Sequence, residues 1–296
     1  MDSPAPPVRS HTRFAPSPTG ELHLGHVAAM IHVWGWANLA QATVDVRIED
    51  HDRQRCRPEF TDRLLADLDW LGFAPVRGGS LRLQSQQTDR YDTALQRLQQ
   101  AGLVYACRCS RRSLPAAPPG GEVCYPGTCR DQDWPAGPDT SLRVRLPGMT
   151  VVFHDDELGR QEQTPARQCG DIVIRDRHGQ YTYQFAVVVD DLLDQIDWVI
   201  RGEDLLASTG RQIELARLLG GTAPSAWRHH PLIVGRDGRK LSKSEGAPPL
   251  RELRDRGLSA ADVIGLAACR VGLQPTPRPC PAAEVSRLLA APALRE

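Results

Sequence analysis

Lysine is almost absent from this sequence. Of its 36 basic residues only two are lysines, Lys240 and Lys243, and they lie three positions apart. Arginine supplies positive charge everywhere else, so a general need for charge does not account for these two residues. A compact ammonium on a flexible stem differs chemically from a planar guanidinium. We therefore expect the segment that contains both lysines to need ammonium chemistry.

Several other features are missing as well. No apolar run approaches the length that crosses a membrane, and the polar, proline-rich first residues lack the apolar segment of a signal peptide. We therefore expect a soluble, cytoplasmic protein, and we expect a monomer. Its eight cysteines should then be reduced thiols that bind metal or pack in a core. A formal net charge of zero neither supports nor excludes a nucleic-acid partner, because nucleic acids contact local patches.

The apolar pattern alternates between strand and helix periods. With 296 residues, of which 41% are apolar, the chain can form one or two domains. The first part predicts strands at 13–15 and 44–49 and helices at 24–39, 58–71 and 89–101. Strand, helix, strand, helix is typical of an α/β fold with a parallel sheet and crossover helices.

The rest of the chain predicts shorter elements. We expect short strands at 141–146, 149–153 and 171–175, and buried strands at 184–189 and 197–200 that return to the parallel sheet. Helices are expected at 209–219, 260–270 and 282–289.

The first candidate site is the segment RFAPSPTGELHLGH, residues 13–26. A strand ends, a turn follows, and a helix begins near His23 and His26. The backbone N–H groups at such a helix start favour an anion, and the two histidines could donate to phosphate oxygens. Gly25 allows a planar base to approach the backbone closely. From the residues alone, the histidines could equally be ordinary helix-start residues or a metal pair.

The second candidate site is the glycine-rich loop GRDGRKLSKSEGA, residues 235–247. Its lysines could stabilise charge that develops on phosphates during a reaction. Taken by itself, a basic loop of this kind is more often solvated than functional. The order of the two segments, one at each end of a predicted α/β domain, favours the interpretation that both bind phosphates.

These segments resemble known motifs. HLGH and KLSKS resemble the HIGH and KMSKS signatures of class I aminoacyl-tRNA synthetases. RFAPSPTG, VRIEDHDRQR (46–55), YQFAVVVDD (183–191) and VIRGEDLLAST (199–209) are similar to glutamyl-tRNA synthetase catalytic motifs. The resemblance covers roughly residues 10 to 250. It implies a Rossmann-type catalytic domain that binds ATP, with Mg²⁺ accompanying the ATP, and joins L-glutamate to the α-phosphate as an acyl-adenylate.

The same resemblance implies site roles. His23, Gly25, His26 and Lys243 would bind ATP, and the two histidines with Lys240 and Lys243 would stabilise the reacting phosphates. Arg13 and Arg201 would hold the side-chain carboxylate of glutamate, and Glu49 its ammonium. The remaining implied contacts to glutamate are Phe14, Ala15, Pro16, Ser17 and Tyr183.

A cysteine-rich segment interrupts the catalytic motifs at about residues 105 to 140. Its poor apolar content and the spacing of Cys107, Cys109, Cys124 and Cys129 suit a tetrahedral zinc site. Chemistry alone favours Cys124 as the fourth ligand. The glutamyl-queuosine branch of the family implies Tyr125 instead, since that branch pairs Cys-x-Cys with Tyr-x3-Cys, and we expect one zinc ion on Cys107, Cys109, Tyr125 and Cys129.

The domain organisation follows from these placements. We expect the catalytic domain in two halves, 1–104 and 171–246, separated by the insertion 105–170 and followed by a short helical segment, 247–296. Since only 52 residues follow Ser244, we expect no anticodon-binding domain.

Such a chain resembles the branch that transfers glutamate to the queuosine base of tRNA(Asp). A shortened tRNA(Glu)-charging enzyme and a catalytically silent tRNA-binding relative are the alternatives.

Overall fold

The computed structural model describes residues 9–52, 55–118, 121–234 and 248–290. The chain divides into two compact units. The first comprises Met1–Ser85, Ile196–Leu206 and Ser225–Glu296, and the second comprises Gln86–Gln195 and Ala207–Pro224. The domain boundaries expected from the sequence stay a prediction.

The described residues contain the following strands and helices. The strands are β1 (His11–Phe14), β2 (Thr43–Ile48), β3 (Leu81–Leu83), β4 (Val104–Cys107), β5 (Ser141–Val144), β6 (Val151–Asp155), β7 (Gly159–Gln163), β8 (Val173–Arg175), β9 (Trp198–Gly202) and β10 (Ala226–His230). The helices are α1 (Leu24–Ala40), α2 (Pro58–Leu71), α3 (Thr88–Gln100), α4 (Pro165–Gln168), α5 (Tyr183–Leu193), α6 (Leu206–Leu218), α7 (Leu250–Asp255), α8 (Ala260–Arg270) and α9 (Val285–Ala290).

Parallel strands form the centre of the first unit. β1, β2 and β3 pair in that order, and β9 pairs with β10, all in parallel. Asp197 ties β9 to β1: its backbone N–H donates to the carbonyl of His11, and its carboxylate accepts from the backbone N–H groups of Ser10 and His11 at 2.9 and 3.0 Å. The predicted α/β architecture with a parallel sheet is confirmed.

Helix α1 runs through the core of this unit. Ten of its 17 residues are buried, so it shows no single apolar face. The later helices α8 and α9 pack against it, and their buried side chains, such as Val263 and Val285, belong to the same core. The approach is close at Gly35, where an added Cβ would lie 2.5 Å from Leu289 Cδ1.

The second unit is built differently. β4, β5 and β8 form an antiparallel sheet, and β6 and β7 form an antiparallel hairpin. Its core combines residues of α3, α5 and α6 with those of the sheet. Buried polar pairs also hold it: the Tyr91 hydroxyl donates to the Asp190 carboxylate at 2.8 Å, and Tyr105 donates to Asp171 at 2.8 Å.

Most predicted elements are confirmed to within a few residues. The helix predicted at 58–71 matches α2, which begins with Pro58 in its first turn and ends at Gly72 in a left-handed conformation (φ 81°). The strand predicted at 184–189 is wrong, because this segment lies within α5. None of the helices in the described ranges is long and apolar enough to span a membrane.

Candidate active site

His23 and His26 form the start of α1. The Nδ1 atom of His23 accepts a hydrogen bond from the backbone N–H of Gly25 at 3.0 Å, and the Nδ1 atom of His26 accepts from the backbone N–H of His23 at 3.1 Å. The two rings lie 4.1 Å apart between centroids. The histidines thus satisfy helix-start donors reciprocally, as Ser and Glu do in a capping box.

This capping fixes the tautomer of each ring. Because Nδ1 accepts in both His23 and His26, the proton of each neutral ring is on Nε2. Each ring then presents Nε2–H as a donor at the positive end of the α1 dipole. Gly25 is required for this arrangement, since an added Cβ would lie 2.8 Å from His23 Cε1. The ordinary helix-start role and an anion-binding role are therefore compatible in one arrangement.

A second group lies where β2 ends. Arg47 and Glu49 are two residues apart, so they project from the same face of the strand, and both are 3% exposed. Arg47 Nη2 lies 3.7 Å from Glu49 Oε1, and the Ser17 hydroxyl lies 3.5 Å from Glu49 Oε2. The backbone N–H of Glu49 donates to the carbonyl of Pro16 at 2.9 Å. The turn after β1 is therefore held against a buried carboxylate.

The residues between Arg13 and Pro16 divide between core and site. The Phe14 ring packs in the core, 5.3 Å from the Trp34 ring between centroids. Side chains alternate along a strand, so Arg13, which is 3% exposed, faces the opposite side of the sheet from Phe14. Ala15 is half-buried and Pro16 is buried.

Arg201 lies on β9 and is also buried. Its Nε–H donates to His229 Nε2 at 3.1 Å, and its Nη2 donates to the carbonyl of Leu205 at 3.3 Å. Its guanidinium lies 5.2 Å from the centre of the Trp227 ring. Arg13 and Arg201 thus belong to neighbouring strands of the first unit.

Tyr183 belongs to the second unit, as the first residue of α5. Its half-buried side chain lines a cavity of about 300 Å³ together with Arg143, Gln184 and Arg211 of the same unit. The lysine loop, including Lys240 and Lys243, lies outside the described residues.

Three thiols and one phenol meet in the second unit. The Sγ atoms of Cys107, Cys109 and Cys129 all lie within 4.8 Å of one another, and the Tyr125 hydroxyl is 3.5 Å from Cys107 Sγ. The backbone N–H of Cys129 donates to the same hydroxyl at 2.7 Å, which aims the phenol at the thiols. Three soft sulfur donors and one oxygen, close enough together to surround a single ion tetrahedrally, fit Zn²⁺.

Cys124 faces elsewhere. Its thiol donates to the carbonyl of Arg167 at 3.4 Å. The Tyr125 hydroxyl, and not the Cys124 thiol, therefore lies beside the three thiols, and the expected ligand set stays a prediction.

The surroundings of Cys107 favour its thiolate, the form that binds metal. Burial opposes ionisation, but hydrogen bonds from Tyr125 and Arg143 outweigh it and lower the pKa of Cys107 to about 7. Burial and the contact with Cys129 raise the pKa of Cys109 to about 11. The Arg143 guanidinium also lies 3.7 Å from the centre of the Tyr125 ring.

Sequence reasoning missed two residues of these groups, His229 and Arg143. His229 follows Trp227 with period two on a strand just before the lysine loop, which is a recognisable pattern for a site-facing strand. Arg143 carried no signal, because one arginine among 34 on a short strand is unremarkable.

Comparisons with known proteins identify the family of this chain. The profile of the family described as tRNA synthetases class I (E and Q), catalytic domain, matches residues 9–117 and 130–275. The chain is 40% identical over 292 residues to a glutamyl-Q tRNA(Asp) synthetase of Geobacter sulfurreducens, covering 97% of this chain and 91% of the relative. It is 38% identical to a glutamate–tRNA ligase of Frankia casuarinae, covering 84% of this chain but 53% of that protein.

A solved structure shares the fold. The chain is similar to a glutamate tRNA ligase from Elizabethkingia meningosepticum, solved with its amino acid, with a TM-score of 0.75 and 23% sequence identity. The match covers 95% of this chain, which spans 64% of the length of that ligase.

Proposed function

Because the chain belongs to the class I tRNA synthetase (E and Q) catalytic-domain family, we propose that it activates L-glutamate with ATP in the absence of tRNA and then transfers the glutamate to the queuosine base of tRNA(Asp). The observation that carries this proposal is the likeness to a glutamyl-Q tRNA(Asp) synthetase over 97% of this chain and 91% of that protein.

The first step joins a carboxylate to a phosphate. The α-carboxylate of glutamate attacks the α-phosphorus of ATP, the bond to the β-phosphate breaks, and pyrophosphate leaves. Mg²⁺ bound with the ATP would supply further positive charge to the phosphates. No covalent bond to the protein forms, so the protein contributes by positioning and by stabilising charge. His23 and His26 offer Nε2–H donors for the phosphates, and Lys240 and Lys243 add ammonium groups.

The substrate glutamate needs two further partners. Arg13 and Arg201, both buried on neighbouring strands, would hold its side-chain carboxylate, and Glu49 would accept its ammonium. Ser17 and Tyr183 would add hydrogen bonds. Glutamine would leave the two guanidinium groups facing a neutral amide, which a site of this kind rejects.

The cluster formed by the three thiols and the Tyr125 phenol would hold zinc. Cys107, Cys109, Cys129 and the Tyr125 oxygen provide four donors, and zinc bound there would hold together a segment with little core of its own. We propose that this metal is structural, and that the protein acts as a monomer in the cytoplasm.

The test has two stages. Purified protein with glutamate, unlabelled ATP and radiolabelled pyrophosphate, without tRNA, should form labelled ATP by reversal of adenylate formation, whereas glutamine in place of glutamate should give none. Glutamate should then be accepted by tRNA(Asp) that contains queuosine and not by tRNA(Asp) that lacks it. Removal of the terminal adenosine should leave this acceptance intact.

The likeness to the Frankia casuarinae glutamate–tRNA ligase supports a second candidate, charging of tRNA(Glu) at its 3′ end. Efficient acceptance by tRNA(Glu), or failure of the trimmed tRNA(Asp), would establish that alternative. Absence of exchange under all conditions would leave a tRNA-binding protein without activity.

A further inference from the structure

His229 is a fully buried histidine on β10, directly across from Arg201 on β9. The two residues are register partners in a parallel strand pair, and the Arg201 Nε–H donates to His229 Nε2 at 3.1 Å. A hydrogen bond from Nε restrains the guanidinium where it joins the aliphatic part of the side chain, and so limits rotation of the whole guanidinium plane.

Two more contacts restrain the same group. Arg201 Nη2 donates to the carbonyl of Leu205 at 3.3 Å, and the guanidinium lies 5.2 Å from the Trp227 ring centre. The Trp227 and His229 rings are parallel to within 4°, with 6.4 Å between centroids, as expected for residues two apart on one face of a strand. His229 therefore belongs to a set of contacts that define one orientation of Arg201.

The contact between Arg201 and His229 requires a neutral histidine. A histidine accepts at Nε2 only when it is neutral with its proton on Nδ1. His229 thus positions Arg201 without bringing a negative charge, whereas a carboxylate at the same place would form an ion pair with the guanidinium and reduce its attraction for a second anion.

We propose that His229 is the positioning residue that orients Arg201 for the side-chain carboxylate of the amino-acid substrate and, being neutral, preserves the preference of the site for glutamate over glutamine. This inference rests on the proposed function, in which Arg201 binds glutamate.

The test compares variants that differ in the acceptor. His229→Leu removes it, whereas the amide oxygen of His229→Gln reaches the position of Nε2. In glutamate-dependent pyrophosphate exchange, His229→Leu should raise KM for glutamate by about tenfold to a hundredfold, the range for losing a hydrogen bond to a charged group, with KM for ATP unchanged. His229→Gln should restore KM to within about threefold of the wild type. His229→Glu should lower the ratio of glutamate to glutamine use.

Controls separate positioning from general damage. His32→Leu removes another buried histidine of the same unit and should leave KM for glutamate unchanged. If His229→Leu does not fold, His229→Asn replaces it, because its shorter amide does not reach Arg201. An unchanged glutamate KM in the folded variant, equal rises in both substrate KM values, or no rescue by Gln would overturn the inference. Absence of exchange in the wild type would instead refute the proposed function.

Discussion

His23 uses its two ring nitrogens differently. Nδ1 caps α1 by accepting from Gly25, and Nε2 carries the proton that we assign to phosphate binding. His23→Asn should separate these roles, because asparagine is a good helix cap but has no donor in the position of Nε2. The free energy of unfolding should stay within about 1 kcal/mol of the wild type, while the exchange rate falls by about 10² to 10³.

Urea unfolding and pyrophosphate exchange, measured on the same preparation, check this prediction. Wild-type exchange in a folded His23→Asn variant would show that the histidine serves the helix alone.

Among the elements of the second unit, the backbone at Gly170 packs against the backbone of Tyr125, which belongs to the candidate zinc site. Gly170 has φ +67°, and an added Cβ would lie 2.2 Å from the Tyr125 carbonyl oxygen. Gly170→Ala should therefore displace Tyr125 and reduce zinc content after dialysis against a chelator, measured by atomic absorption. Gly102→Ala is the matched control: its φ is +69°, but no atom lies within 4 Å of the added Cβ.

Substitutions of the thiols test the ligand set directly. Cys129→Ser should lose zinc, and Cys124→Ser should retain it, because the Cys124 thiol bonds to the Arg167 carbonyl rather than facing the other three. Loss of zinc from the Cys124→Ser variant would assign the fourth ligand position to the Cys124 thiolate instead of Tyr125.

Among the secondary-structure elements, α5 is the one that the sequence pattern predicted wrongly, as a strand. Phe185 to Val189 are five consecutive buried residues in α5, and periodicity alone does not tell such a short continuous apolar run in a helix from a buried strand. A short apolar run rich in valine therefore reads as a strand, although tertiary packing makes it a helix. By contrast, α2 carries a regular leucine spacing and a proline start, and both its ends were predictable.

For the whole molecule, His32 should link stability to pH. His32 is buried on α1, neither ring nitrogen has a hydrogen-bond partner among the described residues, and its ring stacks on His230 at 4.5 Å. Burial, with His230 and Arg228 nearby, holds the pKa of His32 well below its ordinary value of 6.5. The unfolded chain therefore binds a proton that the folded chain excludes.

The sign of the effect follows. Stability should be unaffected by this group above pH 6.5 and should fall as pH drops through that value, by about 1.4 kcal/mol per pH unit for one proton. His32→Leu should flatten this part of the curve, measured by urea unfolding between pH 5 and pH 8 (a range of about 3 units). Identical slopes in both proteins would contradict the assignment.

The sequence proposes site residues but not the contacts that support them. The roles of Glu49 and Arg201 come from the resemblance to family motifs, and they stay predictions together with those of His23 and His26. The contacts that orient them, such as His229 with Arg201, join residues 28 positions apart and depend on strand register, which the sequence pattern does not specify.

The packing of α9 on α1 has a consequence for synthesis. The helix that begins at His23 leaves the ribosome before the residues that cover it, including Val285 and Leu289, have been translated. A nascent chain stopped before α9 keeps the Gly35 face of α1 exposed to water and to chaperones. The start of α1 at His23 and His26 therefore gains its final packing only after α9 has been translated.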